Sequence, residues 1–113
     1  MNKNVQSINA PCIITVLDIS SGHITKQDDK LIKGAVADID PNNPVIAYGY
    51  AEGYFVYVPQ IPQDFDEDLD EIRQFGFSVQ FCKILRLAAA RGIKYVQFDC
   101  DGTTYADLKT YNW

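Results

Sequence analysis

The 113-residue chain is short of the residues on which much protein chemistry depends. It holds one histidine, His23, one tryptophan, Trp113, and three cysteines, Cys12, Cys82 and Cys100. The cysteines are odd in number and widely spaced, with no Cys-x-x-Cys, and all three lie in or beside apolar runs. That pattern predicts reduced, mostly buried thiols, and argues against a disulfide framework or a zinc site. Positive charge is scarce as well: 10 Lys and Arg stand against 15 Asp and Glu, a formal charge of −5. Nucleic acid and anionic lipid both attract clustered Lys and Arg, so neither is an expected partner. No apolar run approaches the ~20 residues that span a bilayer. The opening MNKNVQSINAP has no apolar stretch of the signal-peptide kind. A cytoplasmic protein that needs no cofactor or metal is therefore expected.

What is present is the composition of a globular domain, 47% hydrophobic, with seven Tyr and six Phe. Residues 1–10 are polar and predict a flexible N-terminus, followed by a single domain over 11–113. CIITVLDI, 12–19, is β-branched and apolar and predicts a buried strand. Thr25 with Asp28 three positions on is a capping-box signal. It opens a helix over 26–37 that would turn Leu31, Ile32, Ala35 and Val36 inward and Lys26, Lys30 and Lys33 outward. VIAYGY and YFVYV flank a Gly-containing connection and predict a hairpin. A short helix over 67–74 stops at Gly76. Ser78 then caps VQFCKILRLAAAR, which ends at Gly92. Its polar positions form one narrow stripe, so it should pack on more than one side. IKYVQFD, 93–99, is the last strand. The order β-α-β-β-α-β predicts an α+β, ferredoxin-like sandwich, with an antiparallel sheet covered by helices on one face.

Asp99-Cys100-Asp101-Gly102-Thr103 follows that strand in the manner of a phosphohydrolase nucleophile loop. There a first carboxylate attacks phosphorus, a second serves as acid and base, and Mg²⁺ bridges them. In that fold, however, the motif opens the domain, and here only eleven residues follow Gly102. They cannot supply the remaining groups, so the motif reads as turn chemistry. A calcium loop fits no better: its Gly falls two places early and its twelfth-position Glu is missing. His23, as the lone histidine beside a helix start, is expected to bond to local backbone; with Asp99 and Asp101 it makes a possible polar cluster. Cys100 lies between two aspartates, whose charge opposes thiolate formation.

Two other features suit contacts with a protein partner. Tyr48, Tyr50, Tyr54, Phe55 and Tyr57 crowd the hairpin, and the four tyrosines are the expected contacts. Sheet aromatics can stack on RNA bases, but acidic Glu52 and the net charge oppose that reading. DFDEDLDE places Asp64, Asp66, Glu67, Asp68, Asp70 and Glu71 in one short segment. Such a run suits a solvated helix start, or a surface that docks on a basic partner or imitates nucleic-acid phosphates.

Several segments taken together, SSGHITKQD, GYFVYVP, FSVQFCKILRLAAARGIKYVQFD and DGTTYADLKTYNW, carry a resemblance. From about residue 16 to Trp113 the chain resembles the bacterial family of domains of unknown function 5983, found mainly on plasmids, prophages and other mobile elements. Its most specific parts are Gly22-His23-Ile24-Thr25 and the Asp99-x-Asp101-Gly102, Tyr105, Asp107-Leu108 and Trp113 ending. Tyr54 stands where the family would have Trp, and the 59–71 loop is unusually acidic. The resemblance brings no activity and no catalytic residues, and implies an accessory gene acting on host defence or maintenance systems. The expected function is that of a small, non-enzymatic protein-binding protein. A Mg²⁺-dependent phosphohydrolase and an acidic nucleic-acid mimic are the alternatives.

Overall fold

The computed structural model describes residues 5–60 and 65–113. Its elements are β1 (Val16–Ser20), a 3₁₀ turn (Ser21–His23), α1 (Lys26–Val36), β2 (Ala47–Tyr50), β3 (Gly53–Tyr57), α2 (Phe65–Phe75), α3 (Val79–Ala90) and β4 (Tyr95–Asp99). Local chemistry explains most of their ends. Thr25 Oγ1 accepts from Asp28 N–H (2.9 Å) while Asp28 Oδ2 accepts from Thr25 N–H (3.0 Å), the reciprocal capping box expected for α1. Ser78 Oγ accepts from Phe81 N–H at the start of α3 (3.1 Å). Beyond α3, Gly92 turns the chain at φ 69°. The first turn of α2 carries Asp66, Glu67 and Asp68 and its last turn Arg73, matched in sign to the helix dipole.

The fold class is α+β, but the sheet is mixed and its strands run in the order β1-β4-β3-β2. β1 pairs with β4 in parallel, and β3 pairs antiparallel with both β4 and β2. The ferredoxin-like arrangement would put β1 between two antiparallel neighbours; here β1 is an edge strand. Element order left this open, and contacts distant in sequence decide it. The tail after β4 folds back along β1, where Ser20 N–H donates to Thr103 O (2.8 Å) and the Tyr105 hydroxyl donates to Asp18 O (2.8 Å). β1 also carries Asp18 towards solvent, as suits an edge.

The first strand is shorter than its apolar run suggested. Residues 12–15 precede it and are exposed, with Ile13 at 82% and Ile14 at 56%. Cys12 and Cys100 are exposed also; of the three thiols only Cys82 is buried, where most were expected to be. Burial pushes the Cys82 thiol up to about 11.

The core fills the space between one sheet face and the three helices. Ile19, Val56, Val58, Val96 and Phe98 from the sheet side meet Ile24, Ile32, Leu69, Ile72, Phe81, Ile84 and Leu85. A file of rings runs through it: Phe75 on Phe77 (6.4 Å between centroids), Phe77 on Phe81 (4.5 Å) and Phe81 on Phe98 (5.9 Å). α3 packs on α2 as well as on β4, as its broad apolar surface required. Asp28, fully buried, joins α1 to α3. Beyond its capping bond it accepts from Ser78 N–H (2.8 Å, Oδ1) and from the Ser78 hydroxyl (2.6 Å, Oδ2). One carboxylate thus serves two helix starts.

Candidate functional site

Side chains alternate across a strand, so pairing register decides which residues share the sheet face that the helices leave open. Tyr48 lies opposite Phe55, Phe55 opposite Gln97, and Tyr57 opposite Tyr95; Val16 pairs with Tyr95 and Asp18 with Gln97. These residues form the open face. At one end Tyr95 is its hub, with ring centroids 5.7 Å from Tyr57 and 6.5 Å from both Tyr48 and Phe55. Tyr48 is 57% exposed, Ile46 54% and Val16 40%. Ile14, Val16, Tyr48, Phe55 and Tyr95 line a shallow depression there.

The other end of the face is polar. The Tyr50 hydroxyl donates to Asp99 Oδ2 (2.6 Å) and accepts from Gln97 Nε2 (2.8 Å). This bond, then a second from Asp101 N–H to Asp99 Oδ1 (2.8 Å), holds the Asp99 carboxyl below its usual range. Burial first, and the Asp99 bond second, push the Tyr50 hydroxyl up. Gly102 N–H donates to Asp99 O (3.0 Å), so Asp99–Gly102 is the turn expected of it. Asp99, Cys100 and Asp101 each bring a potential ligand atom within 4.8 Å of the others, the latter two exposed.

His23 stands apart from that group and is fully buried. Tyr105 N–H can only donate, so His23 Nε2 accepts from it (2.8 Å) and the ring proton sits on Nδ1, donating to Lys109 O (2.9 Å). Gln80 Nε2 donates to His23 O (2.7 Å) and Lys109 O (2.6 Å), and Gln80 Oε1 accepts from Lys109 N–H (3.1 Å). Tyr111 N–H reaches Gly22 O (2.8 Å) and Trp113 Nε1–H reaches Ile24 O (2.9 Å). The bonds of His23 are therefore to backbone, as expected, but to the distant tail. The two most distinctive sequence segments, 22–25 and 99–113, form one clasp.

The hairpin tyrosines divide between the faces. Tyr48, Tyr50 and Tyr57 are on the open face. Tyr54 pairs with Gly49 and Phe98 on the helix face and packs against the core. Burial, then the nearby Asp29 carboxylate, pushes its hydroxyl up. Of the acidic segment, Asp64 lies outside the described residues. Asp66, Glu67, Asp70 and Glu71 are exposed on α2, and Asp66 pairs with Arg86 (2.8 Å). Asp68 and Glu71 border a groove shared with Ile46 and Tyr57, where acidic helix and aromatic face come together. Tyr95, Val16, Ile14 and Ile46, which share this face with Phe55 and the tyrosines, were missed from sequence. Strict two-residue alternation in each apolar run was the signal that could have found them.

A wider groove of about 950 Å³ follows α1, rimmed by Lys26, Lys30 and Lys33 over Leu31, Phe75 and Trp113, with Asp29 and Asp40 tempering its charge. Among the described residues no helix is long and apolar enough to cross a membrane.

Comparison with curated proteins and with solved structures gives no match. The model of the family of unknown function DUF5983, C-terminal domain, matches residues 16–113, which is the whole folded unit from β1 to the end of the clasp. The chain belongs to that family.

Proposed function

We propose that this domain is a protein-docking module whose contact surface is the apolar end of the open sheet face. The observation that carries the reading is the uncovered ring cluster of Tyr48, Phe55, Tyr57 and Tyr95, extended by Ile14, Val16 and Ile46. Tyrosine-rich patches with aliphatic neighbours suit protein partners, because flat rings bury much area while losing few rotamers. Asp68 and Glu71 beside Tyr57 give that surface an acidic border. The resemblance adds the setting of an accessory protein of a mobile element, acting on host defence or maintenance machinery. Tyr48→Asp changes the face without touching the core. Affinity capture from cells with wild type should enrich a protein that Tyr48→Asp loses; equal recovery with both baits removes the reading.

Two rival readings rest on narrower features. The phosphohydrolase reading draws on the grouping of Asp99 with Asp101. Against it, both oxygens of the would-be nucleophile already accept hydrogen bonds. Mg²⁺-dependent release of phosphate that Asp99→Asn abolishes would establish it. The nucleic-acid-mimic reading draws on the exposed carboxylates of α2 and demands binding that weakens steeply with salt.

A further inference from the structure

The groove that joins the apolar end of the open face to α2 holds charge of one sign. Pro44, Ile46, Tyr57 and Leu85 give it an apolar lining, and Asp68 and Glu71 border it. The two carboxylates stand three positions apart on α2, so one side of the helix presents both. Among the described residues no Lys or Arg lines the groove. The ion pairs among the described residues are Lys33 with Asp29 and Arg86 with Asp66, which leaves Asp68 and Glu71 with no cation there. Asp68 is half-buried, so water screens it less than it screens an exposed carboxylate. The rings beside them lack a cation too. Arg86 lies over the Phe65 ring (5.5 Å to the centroid) and Lys109 over Tyr111 (5.1 Å), both away from the open face. Tyr48, Phe55, Tyr57 and Tyr95 have other rings for neighbours.

We infer that the partner docks through a segment carrying an arginine beside an apolar side chain. The apolar group lies on the ring cluster, and the guanidinium enters the groove between Tyr57 and the pair Asp68 and Glu71. This rests on the reading of the open face as a docking surface. Charge complementarity selects the occupant. Two carboxylates without an ion pair favour a cation, and the electron-rich faces of the neighbouring tyrosines favour it again. The lining then decides which cation. A metal ion or an ammonium holds its water tightly and gains little from Pro44, Ile46 and Leu85. A guanidinium is weakly hydrated, lies flat on a ring, and donates in a fork that matches carboxylate oxygens. An acidic segment is repelled by the same pair, and the net charge of −5 opposes its approach from a distance.

Selection of random dodecapeptides displayed on phage against the purified full chain tests this. The enriched peptide is then synthesised and titrated by fluorescence anisotropy, with circular dichroism confirming that each variant of the chain folds. Enriched sequences should carry Arg beside an aliphatic or aromatic residue. The double variant Asp68→Asn, Glu71→Gln should weaken binding about tenfold in dilute buffer, and that deficit should shrink as salt is added. Tyr48→Ala, which removes a ring and adds no charge, should weaken it about tenfold at any salt concentration. Lysine in place of the peptide's arginine should cost about threefold or more. Enriched sequences without Arg overturn the inference, as does binding indifferent to the double variant, to Tyr48→Ala or to the lysine replacement. Peptides without Arg that Tyr48→Ala releases overturn the arginine and leave the docking reading standing. A selection that enriches nothing overturns the inference as well, and capture from cells then decides the docking reading alone. No enriched peptide together with equal capture by wild type and Tyr48→Asp removes both.

Discussion

Gly102 passes so close to β1 that side-chain atoms have no room. A Cβ added there would fall 2.5 Å from the Ile19 carbonyl carbon and 2.8 Å from Ser20 N, both rigid backbone. Gly102→Ala must push the tail off the strand, and should cost about 2 kcal/mol or more in urea unfolding. In sequence this glycine read as part of the turn after the last strand; its need is also steric and is set by a strand some eighty positions earlier. Asp99, beside it, gives a pH signature. Its carboxyl is lowered by the Tyr50 hydroxyl and the Asp101 amide, so its stabilising effect is complete above its ordinary value of 3.8. The effect is lost as pH falls through the lowered folded value. The stability gap between wild type and Asp99→Asn should therefore be constant above about pH 5 and shrink on acidification below 3.8. A gap that persists unchanged at pH 2 would contradict the assignment.

Among the elements, what was legible in the sequence was what is local. The Thr25–Asp28 box, the Ser78 cap, the Gly92 stop and the hairpin all follow from residues within a few positions of one another, and all stand in the fold. The second duty of Asp28 could not be read, because Ser78 is fifty positions away. Asp28→Ala strips a partner from Thr25 N–H, Ser78 N–H and the Ser78 hydroxyl together. It should cost about 3 kcal/mol or more by denaturant titration, beyond the ~1 kcal/mol of an ordinary cap. Of the candidate site, the tyrosines of β2 were identified, whereas the hub, Tyr95, looked like an ordinary strand residue. Only the pairing of β3 with β4 brings it among them. The clasp was visible as a signature but not as a structure. His23→Ala removes its centre and should free the tail before the core unfolds. Emission from Trp113, the sole tryptophan, should then shift red at lower urea than the circular dichroism signal changes.

At the scale of the whole molecule, the first strand pairs with the last, so the ladder from Val16–Tyr95 to Ser20–Asp99 closes only when the chain is otherwise assembled. This is why strand order could not be derived from element order: it depends on the most distant contacts in the chain, while propensity and period report the nearest. It also predicts cooperativity. The amides of Ile19, Val96 and Phe98, fully buried at this seam, should exchange with deuterium only through global unfolding. Faster, independent exchange of β1 would show that the edge opens by itself.

That edge has a further consequence. Outward-facing backbone groups of β1, Ser20 N–H and Asp18 C=O, are occupied by Thr103 and Tyr105 from the tail. A chain interrupted before residue 103 would keep every strand and helix and lose this cover. Beside the exposed Ile13 and Ile14 it would then present an unsealed, apolar strand border to its neighbours. Such a border is a template for intermolecular β-sheet growth. The tail thus seals that border, and truncated products should collect as insoluble, cross-β material.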